Sequence, residues 1–410
     1  MDKKGNLKSI IWNTLGMSFS STISLILLIV VTRINGIENS GTFSFLFSFC
    51  LIIYTITLYG GRVYQVSDYK NQYKYNEYYS LKIVTSILSA IVLFTYLYIY
   101  KYSIDAIVIS FLLLFVKMLD AFSDTIYGTF QKNGRLDLVG KSLTLRTVVS
   151  VLVFIIADYI TKDIVFSVFL YSVSNLLIFI LYDKYNEKKF EKQKLVFNKQ
   201  IFQLMLSTKY IFLNNFITNI LMNIPRFVVR SVYTTEELGY FGILIMIPTV
   251  LSLFGQFIVQ PILISLTNAY SQKDRETFNK YLYICFKYLY VIVFLCSIAA
   301  YFLGPQVLKI MYGVDFEYYR VSLLFLIIGG AFNVLSYVIS TALNVFRKMF
   351  FQTMVYIITL VISALAFYLF AINFSVKIIF VVYAIMMLIQ FLMLYVYYLI
   401  VSKKIFCQEE

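Results

Sequence analysis

Histidine is absent from this sequence of 410 residues, and charged residues make up only 14% of it. Without histidine the chain has no His–metal site and no acid–base chemistry based on imidazole. Soluble domains carry about 25% charged residues, so the low charged fraction excludes an ordinary soluble protein and a disordered one. The four cysteines show no C-x-x-C spacing, which disfavours a zinc site and a disulfide framework.

Apolar residues make up most of the chain. They account for 60% of the chain, aromatic residues account for 19%, and the mean hydropathy is +0.80. Apolar segments of about 20 residues cross a bilayer as helices, whereas closed barrels show alternating segments of about ten residues. The runs in this sequence are continuous, so we expect an all-α polytopic membrane protein.

The apolar runs predict twelve spanning helices, arranged as two pseudo-repeated bundles of six. Their approximate bounds are 10–32, 42–66, 79–100, 103–130, 142–160, 164–183, 201–230, 238–265, 281–303, 319–346, 351–370 and 376–401. The most charged loop follows the sixth run. The expected divisions are an N-terminal bundle at 1–183, a basic cytoplasmic linker at 184–200, a C-terminal bundle at 201–402 and a cytoplasmic tail at 403–410.

Basic residues are distributed unevenly between the two sets of loops. The N-terminus, the C-terminal tail and the loops on their side carry 23 of them, including Lys82 and Arg146, and the other side carries eight. Because short cytoplasmic loops are rich in Lys and Arg, both termini are predicted to be cytoplasmic. This bias explains most of the net charge of +14 without a nucleic-acid partner.

The fourth predicted span carries ionisable side chains, which are expensive in a bilayer. Lys117, Asp120 and Asp124 share one helical face, since they are spaced by three and four residues. In one interpretation they line a wet cavity, and Asp120 or Asp124 carries a coupling H⁺ or Na⁺. In the other, the Lys and an Asp form a pair that neutralises itself. One Lys between two acids leaves a negative charge over, which favours the cavity.

The seventh predicted span carries the longest polar stripe. Five side chains fall within an arc of about 80° at helical spacing: Asn215, Asn219, Asn223, Arg226 and Arg230. They either line a cavity that binds a planar or phosphate anion, or bond neighbouring helices and reach the interface. We favour the cavity, and Pro225 is expected to kink this helix.

Two further arginines are cavity candidates in the N-terminal half. Arg33 ends the first predicted span, and Arg62 follows two glycines in the second. Arg62 alternatively reaches the cytoplasmic face of the membrane. With Lys117 and the stripe of the seventh span, these arginines complete the predicted set of substrate-binding side chains.

Motifs for nucleotide binding and for catalysis are missing. The stretch 134–142 has five residues between Gly134 and Gly140, where a phosphate loop requires four, and no Walker B motif is found. Transport driven directly by ATP is therefore not expected. The sequence has no G-x-S-x-G motif and no long external loop, which argues against an enzyme.

Several motifs resemble the polysaccharide-exporter family. They are the 6+6 layout, Asn223-Ile-Pro225-Arg226, Glu237-Leu-Gly239-Tyr-Phe-Gly242, Pro261, Asn268-x-Tyr270 and Gly134-Arg135. This family of O-antigen, capsule and teichoic-acid flippases is part of the multidrug/oligosaccharidyl-lipid/polysaccharide exporter superfamily. The resemblance implies a MATE-like fold with two six-helix bundles around a cationic cavity. It also implies flipping of undecaprenyl-diphosphate-linked oligosaccharide across the bacterial inner membrane by alternating access.

The resemblance also suggests roles for the candidate side chains. Arg33, Arg226 and Arg230 would pair with pyrophosphate or acidic sugars, and Asn219 and Asn223 would contact sugar hydroxyls. The lipid tail would stay in the bilayer, and a polysaccharide polymerase is a possible partner. One alternative is a cation-coupled multidrug exporter of the same superfamily, which should have a more acidic cavity. The other is a membrane glycosyl polymerase.

Overall fold

The computed structural model describes residues 3–68, 72–191, 194–346 and 349–406, and all regular structure in these ranges is helical. The chain forms two compact units, Met1–Asn219 and Ile220–Glu410. The border between them lies inside a long helix. The predicted bundles at 1–183 and 201–402 are defined by the repeated order of spans along the chain. This division stays a prediction.

The N-terminal unit contains eight complete helices and the first part of a ninth. They are α1 Lys3–Asn35, α2 Ile37–Leu58, α3 Gly61–Ser67, α4 Tyr75–Ile99, α5 Ile104–Lys132, α6 Leu136–Thr161, α7 Ile164–Ile178 and the short α8 Tyr185–Glu187. A π-helical turn, Phe179–Lys184, joins α7 to α8. The second predicted span is broken into α2 and α3, because Gly60 and Gly61 have φ values of 85° and 53°, which favour glycine.

The ninth helix, α9, extends over Lys199–Val232 and contributes to both units. The remaining helices of the C-terminal unit are α10 Thr235–Leu244, α11 Met246–Ser271, α12 Arg275–Tyr312, α13 Arg320–Val345, α14 Met349–Asn373 and α15 Lys377–Phe406. The eighth predicted span is divided at Ile245 into α10 and α11. Pro225 lies inside α9.

Eleven helical segments of the described chain are long and apolar enough to cross a membrane. The predicted seventh span is helical throughout, as α9, but it is not among the eleven. Its asparagines and arginines make α9 more polar than these eleven segments. The expectation of an all-α polytopic membrane protein is confirmed.

Helices α1 and α6 of the N-terminal unit pack closely against each other. Gly16 faces Gly140, and a Cβ atom on Gly140 would overlap the carbonyl oxygen of Trp12. The Nζ atom of Lys141 lies 5.8 Å from the centre of the Trp12 ring. The residues that resembled a phosphate loop therefore form a helix–helix contact, in which glycine lets the two backbones approach.

Candidate functional site

Four ionised side chains form a row of alternating charge inside the N-terminal unit, which we call the ion chain: Lys117, Asp120, Arg146 and Asp183. The Nζ of Lys117 lies 2.8 Å from Oδ2 of Asp120. Arg146 joins the two carboxylates, with Nη1 at 2.6 Å from Asp120 Oδ1 and Nη2 at 2.7 Å from Asp183 Oδ2. Two cations thus face two anions, and the ion chain is neutral as a whole.

Hydroxyl groups complete the bonding of the innermost carboxylate. Asp183 is fully buried, and the π-helical turn places it against α5 and α6. Ser123 donates to its Oδ2 at 2.8 Å, and Ser142 donates to its Oδ1 at 2.5 Å. Buried ion pairs keep their charge only with such additional hydrogen bonds, so the ion chain joins three helical segments as one structural element.

The position of Arg146 corrects the sequence analysis. The distribution of basic residues predicts that Arg146 is a cation of a cytoplasmic loop, but its side chain is only 5% exposed. Helix α6 begins at Leu136, six residues before the predicted start, so Arg146 lies about three turns inside the helix. The negative charge thought to be left over beside Lys117 is therefore matched.

Asp124 lies one turn beyond Asp120 on α5, at the break between α2 and α3. Its Oδ2 accepts the backbone N–H of Arg62 at 2.8 Å, and its Oδ1 lies 3.8 Å from Nε of the same arginine. Both side chains are about a quarter exposed, at 24% and 23%. Arg62 is thus paired with a carboxylate at the helix break, and this pair is looser than those of the ion chain.

Lys82 is the second cation that the sequence analysis placed in a loop. It lies on α4, it is 3% exposed, and it donates to the carbonyl oxygen of Leu58. That carbonyl ends α2, where the break removes its partner within the helix. Lys82 therefore caps the broken helix, and it should not be counted as a solvated loop cation.

The structure divides the polar stripe of α9 between the two units. Asn215 is exposed, and Asn219 donates to the carbonyl oxygen of Asn215 at 2.9 Å, within the same helix. Both belong to the N-terminal unit, whereas Asn223, Arg226 and Arg230 belong to the C-terminal unit.

The other two arginines of the predicted set differ in exposure. Arg33 is exposed in the last turn of α1, and Arg230 is half-buried near the end of α9. Neither is as deeply buried as Arg226, which is 5% exposed.

Within the part of the chain that the structure describes, Arg226 is bonded only to neutral groups. Its Nη1 donates to Oδ1 of Asn223 at 3.2 Å, and its Nη2 lies 3.5 Å from the carbonyl oxygen of Gly242. Its Nε is buried without a hydrogen-bond partner, and no ion pair of the described residues includes it. A buried charge without a counterion is costly, so Arg226 is a candidate for binding an anion.

The sequence analysis missed Asn333 and Ser252, which bond to each other at Met222, one turn before Arg226 on α9. Asn333 on α13 donates to Ser252 on α11 at 3.2 Å, and it also contacts the sulfur of Met222 on α9 at 3.8 Å. The C-terminal polar cluster comprises Met222, Asn223, Arg226, Gly242, Ser252 and Asn333. Asn333 escaped notice because its neighbours at helical spacing, Ser336 and Ser340, are small hydroxyl residues, which are common where membrane helices pack.

The chemistry available in these two sites is binding through charge and hydrogen bonds. Within the described ranges, no group of three or more Cys, Asp or Glu side chains is placed to hold a metal ion. The C-terminal polar cluster offers guanidinium and amide donors together with amide and hydroxyl acceptors. Such groups recognise phosphates and sugar hydroxyls.

Solved structures show the class of membrane protein that shares this fold. An inward-facing multidrug resistance MATE family transporter of the MOP superfamily superposes with a TM-score of 0.75 at 11% identity, over 97% of this chain and 100% of that chain. A MOP superfamily transporter from Pyrococcus furiosus, described as having a binding pocket of reverse polarity, gives 0.62 at 13% identity, over 98% and 96%. The predicted MATE-like transporter fold is confirmed.

Sequence comparison gives the family within this class. The family model described as polysaccharide biosynthesis protein matches residues 6–264, which is more than half of the chain, so the chain belongs to this family. The capsular polysaccharide biosynthesis protein CapF of Staphylococcus aureus is 23% identical over 323 residues, covering 76% of this chain and 79% of that protein. The family predicted from the sequence is confirmed, and the protein is a membrane exporter of the polysaccharide biosynthesis family.

Proposed function

We propose that this exporter flips undecaprenyl-diphosphate-linked oligosaccharide across the bacterial inner membrane by alternating access, for the synthesis of a cell-surface polysaccharide. Membership of the polysaccharide biosynthesis family and the MATE-like fold support an export function. The observation that carries the choice of cargo is Arg226, a buried guanidinium that bonds only to neutral groups among the described residues.

The chemistry of Arg226 fits a diphosphate better than other cargo. A guanidinium presents paired N–H donors that match the oxygens of a phosphate, and the cargo's charge would compensate the burial of the arginine. In this proposal Arg230 and Arg33 assist with the phosphates or with acidic sugars, and Asn219 and Asn223 contact sugar hydroxyls. The lipid tail stays in the bilayer.

The multidrug exporter is disfavoured by the same distribution of charge. A cationic drug needs a carboxylate that is not already neutralised. The carboxylates of Asp120 and Asp183 are bonded to Arg146, and the C-terminal polar cluster contains no acid. An arginine without a counterion would repel such a drug.

We further propose that transport draws on an H⁺ or Na⁺ gradient rather than on ATP, and that Asp124 carries the coupling ion. Asp120 is held by two cations at 2.6 and 2.8 Å. Asp124 has its cation at 3.8 Å and is 23% exposed, so an ion from water can compete for it. A polysaccharide polymerase is the proposed partner that consumes the exported repeat units.

The decisive experiment combines Arg226→Ala with Arg230→Ala in a strain that lacks its own flippase. We expect complementation to be abolished while the protein remains in the membrane, because the anion loses its partners and Arg226 pairs with no carboxylate among the described residues. The matched control is Arg320→Ala, which removes an arginine of the same unit that pairs with the exposed Glu317. Export by the double variant at the level of the control would refute the proposal.

Deletion of the gene separates this function from a polymerase. A strain without the flippase should accumulate lipid-linked repeat units on the inner leaflet, where they are made. A strain without a polymerase should instead accumulate single repeat units on the outer leaflet. Labelling of the accumulated glycan from outside intact cells distinguishes the two outcomes.

A further inference from the structure

Asn333 joins three helices of the C-terminal unit at a single amide group. Its Nδ2 donates to Oγ of Ser252 at 3.2 Å and to Sδ of Met222 at 3.8 Å. The helices α9, α11 and α13 therefore meet at this side chain. In a bilayer an amide of this kind bonds neighbouring helices or faces a polar cavity.

The bonding of Ser252 determines which way the amide points. The hydroxyl of Ser252 donates its one hydrogen to the carbonyl oxygen of Pro248 at 2.9 Å. Its oxygen can therefore only accept from Asn333, and the thioether of Met222 is likewise an acceptor. Both N–H groups of Asn333 are directed at these two atoms, and its Oδ1 accepts no hydrogen bond from the described residues.

Asn333, with its unused acceptor, contacts α9 one helical turn before Arg226, which has an unused donor. Met222 and Arg226 are four residues apart, on one face of α9, which corresponds to a rise of about 6 Å. Asn333 contacts Met222, and Nε of Arg226 has no partner among the described residues. The cluster thus presents a cation and, about one helical turn away, a carbonyl acceptor.

We infer that Asn333 recognises the first sugar of the cargo through an N–H or O–H donor on the ring carbon beside the anomeric carbon. This inference rests on the proposed function, in which Arg226 binds the diphosphate. In a glycosyl diphosphate the phosphate is attached to the anomeric carbon. The substituent on the neighbouring carbon is therefore the nearest sugar donor to the phosphate, at a separation compatible with the rise of about 6 Å on α9.

An acceptor fixed by its neighbours discriminates against a ligand that lacks the donor. When such a ligand binds, the oxygen of Asn333 would lose its hydrogen bonds to water and gain no hydrogen bond from the ligand. This loss weakens binding by roughly tenfold. An acetamido or hydroxyl group at this carbon satisfies the oxygen, whereas a 2-deoxy sugar leaves it unpaired. The cluster therefore selects the class of first sugar, in addition to binding the diphosphate.

Binding to the purified full-length protein in detergent tests this inference. The probes are three water-soluble citronellyl compounds: the diphosphate of a 2-acetamido-2-deoxy sugar, the diphosphate of the corresponding 2-deoxy sugar, and citronellyl diphosphate without sugar. We expect the wild type to bind the acetamido compound roughly tenfold more tightly than the 2-deoxy compound. Asn333→Leu should bind both at the level of the 2-deoxy compound.

Two variants separate recognition of the sugar from other effects. Arg226→Gln should weaken all three probes by a similar factor and keep the preference for the acetamido sugar. Asn344→Leu changes an exposed asparagine of the same helix and should leave every affinity unchanged. Should Asn333→Leu fail to fold, Ser252→Ala tests the same inference. It releases the Asn333 amide from its fixed direction and should therefore reduce the preference for the acetamido sugar.

The outcomes distinguish failure of the inference from failure of the proposed function. If the wild type binds citronellyl diphosphate through Arg226 but shows no preference between the sugars, Asn333 only packs helices and the inference is wrong. The same conclusion follows if Asn333→Leu keeps the preference. If the wild type binds none of the three diphosphates, the proposed cargo itself is wrong.

Discussion

The two units of this protein bury arginines in opposite ways. In the N-terminal unit Arg146 lies between the carboxylates of Asp120 and Asp183, and two serine hydroxyls bond to Asp183. In the C-terminal unit Arg226 is as deeply buried, at 5% exposure, but among the described residues it meets only an amide and a carbonyl oxygen. A compensated arginine serves the fold, whereas an uncompensated one has capacity left for a ligand. Residue type and depth alone do not distinguish the two.

Arg146→Ala should have the largest effect on stability. It leaves the buried Asp183 without a counterion, and losing one partner of a buried pair costs about 3–5 kcal/mol. We expect little protein in the membrane and a sharply lower midpoint of thermal unfolding in detergent. Arg226→Gln should instead keep or raise the midpoint, because it removes a charge that is costly to bury. Equal losses of stability in the two variants would contradict the contrast between the units.

Charge repair in the ion chain should recover most of that loss. Combining Arg146→Met with Asp183→Asn removes one cation and one anion, and the pair of Lys117 with Asp120 remains intact. The double variant should be more stable than Arg146→Ala, because no buried charge is left unmatched. Thermal midpoints of the single and double variants measure the difference. A double variant no better than Arg146→Ala would show that geometry, and not charge balance, limits stability.

Asp124→Asn should lower the stability of the protein only slightly but should clearly reduce transport. The amide oxygen still accepts from the backbone N–H of Arg62, and the part-exposed ion pair is worth about 1 kcal/mol or less. The thermal midpoint should therefore fall only slightly. Export should fall and lose its response to collapse of the ion gradient. Persistence of that response would exclude Asp124 as the coupling residue.

Arg135→Ala should have the smallest effect. Arg135 pairs with Asp137 at 2.8 Å, but its side chain is 44% exposed, and exposed pairs contribute about 0–1 kcal/mol. Both the thermal midpoint and export should match those of the wild type. A loss comparable to that of Arg146→Ala would mean that burial is not what separates these two pairs.

The helices could be predicted from the sequence better than the site could. Apolar length reports directly on membrane spans, and the exporter family was recognisable from motifs such as Asn223-Ile-Pro225-Arg226. The partners of individual charges could not be predicted. Lys82 and Arg146 look like loop cations in a count by position, because the count does not show where a helix begins or which carboxylate faces it.

Asn333 shows the limit of reasoning by periodicity. A stripe of polar residues, such as that on α9, produces a signal because its members repeat at helical spacing. Asn333 is followed at helical spacing by Ser336 and Ser340, but small hydroxyl residues also occur where membrane helices pack, so the span gives no distinct signal. Of the stripe itself, the sequence could give the shared face, but not the division between Asn219 in one unit and Asn223 in the other.

The sequence by itself determined that this chain is a polytopic helical membrane protein and which family it belongs to, because apolar runs and short motifs are local properties. Only the tertiary structure decided which buried charges are neutralised. Asp183 reaches Arg146 across 37 residues of chain, while Arg226 finds no carboxylate among the described residues. Electrostatic energy depends on distance in space, and the order of residues along the chain does not give that distance.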